Sequence, residues 1–314
     1  QLRHWQSGDS IFRHALEVTE GNCLAHYNLA RLHLRRGEYP QAAELLRRAN
    51  VIQSNNPDIL LNLGTALHEG RISVKGAQDA YEAAAAAAPD SPRAFYNLGN
   101  LSAEIGRHVE ALQYYEKALE RAPNYFDTLF NYAGTLMELN RLGEAIAIYD
   151  RALKISPDDL GVRNGLIGAL SQSGGIARAI DLAKETADMY PSAFEPNFNA
   201  GLLLQQAQHD GAAVGYYERA LQINPAYLQG HLAVAKILAS SDDASVKDPP
   251  RALKLLDDIE SKLGRTEFQV LEVRAAALRA MGQESSAKIV IQQAIQLARE
   301  SGQEAEAERI AKGR

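Results

Sequence analysis

The sequence predicts an all-α fold, an α-solenoid of tandem helix-turn-helix repeats forming a superhelix, on three observations. Five of its eleven prolines, Pro89, Pro123, Pro157, Pro191 and Pro225, stand 34 residues apart, and a fixed period of that length marks a repeat architecture. Small residues keep the same interval in two columns: Ala77, Ala111, Ala145, Ala179 and Ala213, then Ala84, Ala118, Ala152 and Ala220, with Thr186 as the exception. Tyr115, Tyr149 and Tyr217 share the period, and Ala183 breaks their column. Alanine, tyrosine and alanine at i, i+4 and i+7 fall on one face of a helix, which makes that face the buried one.

Each unit reads as two helices. In the unit that begins near Pro92, a first helix from Ala94 to Ile105 stops near Gly106, and a second from about Val109 to Arg121 ends before Pro123, since glycine and proline punctuate helices. Small residues such as Gly99, Ala111 and Ala118 let the two backbones approach closely, and Tyr115 fills the space beyond. In chain order, residues 1–22 form a lead-in and capping helix, helical from about Asp9 to Thr19. About eight repeats occupy 23–298, starting near Cys23, Pro57, Pro92, Phe126, Leu160, Phe194, Leu228 and Phe268. The unit at Pro57 is one residue longer. The seventh carries an insertion at 240–250, rich in Ser, Asp and Pro and therefore read as a loop. Residues 299–314 turn polar, as a solubilising end helix or tail should.

Composition narrows the function. A chain of 314 residues with 46% hydrophobic and 23% charged residues is a folded protein, and a net charge of −6 gives no footprint for nucleic acid or an anionic bilayer. Its longest weakly polar run, Ala83 to Ala88, is far short of the ~18 residues of a membrane span. The single cysteine, Cys23, excludes an intrachain disulfide. The chain opens on Gln1 without a leader pattern, which reads as a piece of a longer or processed polypeptide; no address is legible in it.

Leu98, Gly99, Ala111, Tyr115, Ala118 and Pro123 together resemble the tetratricopeptide repeat, or TPR, and the resemblance extends over nearly all of the chain. It implies a superhelix with a groove lined by the first helix of each repeat, and a non-catalytic scaffold that binds an extended peptide or a partner protein there. The regular feature of that face is an asparagine at Asn28, Asn62, Asn97, Asn131 and Asn199, offset to Asn164 in the fifth repeat and replaced by Ala233 in the seventh. An amide carries both a donor and an acceptor, so a ladder of them matches a peptide backbone whatever its side chains. The array resembles the asparagine ladder of O-linked N-acetylglucosamine transferases. A bond between neighbouring helices is the other role open to these residues. Tyr27, Leu61, Tyr96, Phe130 and Phe198 precede the ladder positions, and with Arg31 they give the groove apolar and aromatic walls suited to peptide side chains.

Three further readings bear on partners. A chaperone-adaptor clamp for a C-terminal carboxylate needs Lys, Asn, Asn, Lys and Arg where this chain has Tyr27, Arg31, Asn62, Arg93 and Asn97, too few matches for that role. Trp5, Ser10, Phe12, Arg13, His14, Ala15 and Leu16 resemble the lead-in to repeats behind membrane-embedded glycosyltransferases, so the alternative function is a substrate-recruiting tail of such an enzyme. A terminal repeat also offers a surface for self-association. No enzyme is expected. His26 and His33 lack a carboxylate as third metal ligand, Cys23 has no base beside it, and Gly165 to Gly175 lacks the spacing of a phosphate-binding loop; no cofactor or metal is predicted.

Overall fold

A computed structural model describes residues 8–313, and every regular element among the described residues is an α-helix. The chain divides into two compact units at Ala169 and Leu170. The first contains α1 (Gly8–Val18), α2 (Cys23–Arg35), α3 (Tyr39–Ile52), α4 (Pro57–Glu69), α5 (Val74–Ala87), α6 (Pro92–Glu104), α7 (His108–Arg121), α8 (Phe126–Glu138) and α9 (Leu142–Ile155). The chain passes from one unit to the other within α10 (Leu160–Gln172). The second unit contains α11 (Ile176–Met189), α12 (Phe194–Gln206), α13 (Asp210–Ile223), α14 (Leu228–Ser240), α15 (Pro249–Leu263), α16 (Phe268–Ala280), α17 (Glu284–Glu300) and α18 (Glu304–Ala311). Trp5, part of the lead-in pattern, lies outside the described residues.

Local chemistry sets the helix ends. Pro57 and Pro92 open α4 and α6, where a missing N–H costs nothing. The Asn56 side chain accepts from the N–H groups of Asp58 and Ile59, the end-capping role that suits asparagine. Between the two helices of a repeat the chain reverses through a left-handed residue: Gly106 (φ 77°) after α6, Asn140 (φ 55°) after α8 and Gln208 (φ 61°) after α12. Glycine takes that conformation without strain and asparagine tolerates it. The additional residue of the second repeat sits in this turn, where Arg71 is left-handed and the Ser73 hydroxyl caps Gly76.

Packing explains the alanine columns. Ala111, Ala118, Ala145 and Ala152 in the first unit, and Ala179, Ala213 and Ala220 in the second, are completely buried. Opposite them, Gly64, Gly99 and Gly201 lie against the rings of Tyr81, Tyr115 and Tyr217, and a Cβ on any of the three would overlap the ring. The tyrosine fills the space that glycine leaves, so the two positions act as one interlocking pair. Ala133 stands in the glycine position of the fourth repeat, and there Tyr149 leans onward against Gly165.

The periodic prolines have a second role. Each sits two residues beyond the end of a helix, and each carbonyl accepts a hydrogen bond from the repeat that follows. Arg121 Nε donates to Pro89 (2.5 Å), Arg151 Nη2 to Pro123 (2.8 Å) and Arg163 Nε to Pro157 (2.6 Å). In the second unit Asn197 Nδ2 donates to Pro191 (3.3 Å) and His231 Nε2 to Pro225 (3.0 Å). Arg163, Asn197 and His231 are buried polar residues in the helix position that Leu129 fills with a side chain of the ordinary apolar kind. Their bonds offset part of the cost of burying them; Asn197 Oδ1 and His231 Nδ1 are buried without a partner among the described residues.

At the C-terminal end the structure moves the bounds of the insertion loop and gives the polar end as a helix. The insertion loop is 241–248, because Asp248 caps Arg251 N–H and Pro249 and Pro250 already belong to the first turn of α15. The polar end is ordered as α18, which buries Ala307 and Ile310 against Phe268, Ala294 and Ala298. Arg309 joins α18 to α16 by a two-pronged pair with Glu272 (2.8 and 2.6 Å).

Candidate functional site

The first helices of successive repeats, α2, α4, α6 and α8, lie side by side, so the asparagine at the sixth position of each falls into one row. Asn28, Asn62, Asn97 and Asn131 are all half-buried. Two of them are tied back by one repeat. Asn62 Nδ2 donates to Tyr27 Oη (3.1 Å), and Asn131 Nδ2 donates to Tyr96 Oη (3.3 Å) and to Asn100 Oδ1 (2.9 Å). The other two have no side-chain hydrogen bond among the described residues. The difference follows from the residue one repeat earlier, since Asn97 stands after Leu61, which has no hydroxyl to accept.

Asn100, on the same face as Asn97 and three residues on, is a functional candidate that the sequence reading passed over. Its Oδ1 accepts from Tyr115 Oη (2.8 Å) as well as from Asn131. Tyr115, Asn100, Asn131 and Tyr96 thus form one hydrogen-bonded chain across two repeats. Burial of Tyr115 pushes its pKa well above that of an ordinary phenol, so it remains a donor at physiological pH. The chain leaves the Asn100 Nδ2 hydrogens and the Asn131 Oδ1 without a partner among the described residues.

The fifth repeat breaks the row. Gly165 occupies the ladder position, and the Tyr149 ring fills the room an asparagine side chain would need. Asn164 is one place out of line, with its Oδ1 buried and unpartnered. In the second unit Asn199 is half-buried, again without a side-chain bond among the described residues.

The aromatic residues divide in the same manner. Arg31 lies over the Tyr27 ring at 5.7 Å, a cation–π distance. Tyr96 packs against Tyr125 (5.4 Å between ring centres), and Phe130 meets Tyr149 edge-on at 6.3 Å with part of its ring exposed. Leu61 is buried in the core and gives the face almost no surface, a correction to its expected groove-lining role: with Ile59 and Leu60 it joins the hydrophobic cluster beneath. Phe198 stacks on Phe194 (5.6 Å) and touches Tyr217 and Tyr227, so it is largely a packing residue within the sixth repeat. Arg93 is engaged by Asp58 at 3.0 Å.

Between the third and fourth repeats the face opens into a cleft of about 380 Å³, walled by Tyr115, Phe130 and Tyr149 and floored by Gly134. Gly134 matters because its missing side chain leaves room above the helix, the nearest side-chain atom being Tyr149 Oη at 3.9 Å from where a Cβ would stand. Glu138 stands at the edge of this cleft, exposed and with no ion pair among the described residues.

A family model of the tetratricopeptide repeat matches residues 10–57, 27–71, 74–126 and 168–227, more than half of the chain, and a second such model matches 104–159. The chain belongs to the tetratricopeptide-repeat family. Solved structures agree on the fold of this TPR protein. The C-terminal part of a TPR repeat-containing protein from Cytophaga hutchinsonii superposes with a TM-score of 0.64 at 16% identity, covering 78% of this chain and 98% of that one. A tetratricopeptide repeat protein from Parabacteroides merdae does so at 0.54 and 17%, covering 82% and 98%. Pseudomonas aeruginosa pilF does so at 0.54 and 18%, covering 71% and 97%. Among curated proteins none matches the sequence. Membership of the TPR family assigns the chain to the general class of protein-interaction scaffolds. No helix among the described residues is long and apolar enough to cross a membrane.

Proposed function

We propose that the face built by α2, α4, α6 and α8 binds an extended peptide or an extended segment of a partner protein, the asparagine row meeting its backbone. The observation that carries this reading is the bonding left unmade. Among the described residues, Asn28 and Asn97 are half-buried amides with no side-chain hydrogen bond, and Asn62 and Asn131 engage Nδ2 while their Oδ1 atoms have no partner. A backbone N–H or C=O supplies the missing partner, and each such bond contributes about 0.5 to 1.5 kcal/mol net. Several in a row are needed to outweigh the ordering of a flexible ligand. Asn62 and Asn131 are pre-oriented by their tyrosines and act as fixed acceptors. Asn28 and Asn97 act in both senses. Asn164, one place out of line beside Tyr149, stands outside this row.

The test selects binders from a random twelve-residue peptide library on the whole chain and measures them by calorimetry on wild type and on Asn28→Ala/Asn97→Ala. Affinity falls by about 1 kcal/mol per asparagine, and the melting temperature holds, because neither amide has a protein partner to lose. Methylating the backbone nitrogens of the selected peptide abolishes binding. Equal affinity for the double variant, or a selection that yields no binder to this face, removes the ladder as a binding device.

A further inference from the structure

We infer that the cleft between the third and fourth repeats is a specificity pocket for an arginine side chain of the bound peptide. This rests on the reading that an extended peptide lies along the first-helix face, and it adds which side chain the peptide presents at this point.

The inference follows from a census of donors and acceptors. Three donors in the cleft are already engaged: Tyr115 Oη donates to Asn100, Asn131 Nδ2 donates to both Tyr96 and Asn100, and Thr135 Oγ1 donates to its own helix at Asn131 O (2.9 Å). What remains is mostly acceptor. The Glu138 carboxylate is exposed and has no ion pair, and Asn131 Oδ1 has no partner, among the described residues; His108 Nδ1 is buried, likewise without a partner among them, and donates or accepts according to tautomer. The donors left over are Asn100 Nδ2 and the Tyr149 hydroxyl. An occupant rich in donors and poor in acceptors fits such a lining, and guanidinium has five N–H donors and no acceptor.

Charge and shape agree with that choice. Glu138 is the one lining residue with a formal charge at neutral pH. Two cations close in the chain to lining residues have partners of their own, Arg107 with Glu110 (3.6 Å) and Arg141 with Glu144 (2.6 Å). The side wall is formed by the Phe130 and Tyr149 rings, 6.3 Å apart and edge-on, so the exposed part of Phe130 offers a π surface to a planar cation. Gly134 leaves the room in which the side chain lies. A carboxylate at one end and an aromatic wall along the side is the arrangement in which arginine and lysine differ, because guanidinium stacks and bonds in a fork where ammonium is a point charge.

Nuclear magnetic resonance titration of the whole chain tests it, with three acetylated and amidated heptapeptides, Gly-Ser-Gly-Xaa-Gly-Ser-Gly, in which Xaa is arginine, its neutral isostere citrulline, or norleucine. The amide signals of Asn131, Gly134 and Glu138 shift with the arginine peptide, which binds about fivefold or more tightly than the citrulline peptide. Glu138→Gln, on an exposed residue, leaves the fold intact and brings the arginine peptide down to the citrulline level without changing the latter. Equal binding of arginine and citrulline peptides, an arginine preference that survives Glu138→Gln, or no shift at these three residues overturns the inference. Asn97→Ala separates it from the ladder. If all three peptides bind equally and all weaken in that variant, the backbone reading stands and the pocket falls. An arginine preference untouched by Asn97→Ala keeps the pocket and removes the ladder.

Discussion

The two units use one repeat pattern to different ends. In the first, the face of the first helices is wired: Tyr27 holds Asn62, and Tyr96 and Asn100 hold Asn131. In the second, Asn199 has no such tether among the described residues, its neighbour Phe198 is enclosed by Phe194, Tyr217 and Tyr227, and the Tyr217 hydroxyl turns to Gln205 at 2.8 Å. The same column therefore does not mean the same role. An asparagine is anchored only where a hydroxyl stands one repeat earlier, so the wiring depends on pairs of residues about 35 apart.

Alkali gives the largest contrast. Burial pushes Tyr81 up to about 12 in the first unit, and burial with the Glu116 carboxylate does the same for Tyr132; burial also raises Tyr115 and Tyr149. In the second unit Tyr217 is pushed up to about 12. The folded state favours the neutral phenol, so this stability is intact below pH 10 and is lost as pH rises toward 12, on the order of 2 to 3 kcal/mol for each tyrosine so displaced. Urea midpoints followed by circular dichroism should fall across that window. Tyr81→Phe with Tyr132→Phe should delay the fall more than Tyr217→Phe does. Constant midpoints up to pH 12 would contradict the assignment.

Restoring the broken rung comes next. Gly165→Asn matches the sequence period but drives a Cβ into the Tyr149 ring, and overpacking of this kind costs about 1 to 3 kcal/mol. Chemical denaturation should show that loss, and Tyr149→Ala in the same chain should remove most of the additional penalty. Additive losses would mean that the two residues do not meet.

A smaller effect separates tied from untied amides within the first unit. Asn131→Ala strips Tyr96 and Asn100 of a donor and should lower stability by about 1 kcal/mol. Asn97→Ala should change it by a few tenths at most. Thermal melts of the two variants decide this, and equal shifts would erase the distinction drawn here.

The smallest effect belongs to acid and to the second unit. Burial lowers the pKa of His231, with Lys262 adding to it and the Pro225 carbonyl and Asp258 opposing. A lowered folded value means that the contribution is present above about pH 6.5 and is lost as pH falls through that lower value. His231→Gln should flatten the fall in urea midpoint between pH 7 and pH 5. It should not abolish it, since His26 in the first unit is shifted in the same direction.

The fold was legible because its causes are local and repeated. Glycine and proline mark helix ends through backbone geometry, and alanine columns mark crossings through volume, so α6 and α7 fall within two residues of where periodicity puts them. The face was legible only as a row of residue types. Which amides are engaged depends on Tyr27, Tyr96 and Leu61 one repeat away, and Leu61 looked like wall until its burial was seen. Tyr149 was in register with Tyr115, and only the exchange of Gly99 for Ala133 hints that it leans toward Gly165. Arg163, Asn197 and His231 did carry a signal. They stand 34 apart in line with Leu129, and three polar residues at a core position imply a shared partner.

That partner, the carbonyl of each periodic proline, gives the stack a direction. The closing turn of one repeat is completed by a side chain that the next repeat donates: Arg121 serves Pro89, and Asn197 serves Pro191. Cutting the chain between two repeats parts such a pair on both sides. The N-terminal piece ends on a proline carbonyl that only water can satisfy, and the C-terminal piece begins with a side chain that has lost its acceptor. That second loss weighs most where the side chain is buried: a shortened version that starts after Pro225 leaves His231 without its hydrogen bond, whereas one that starts after Pro89 leaves Arg121 still bonded to the Lys117 carbonyl.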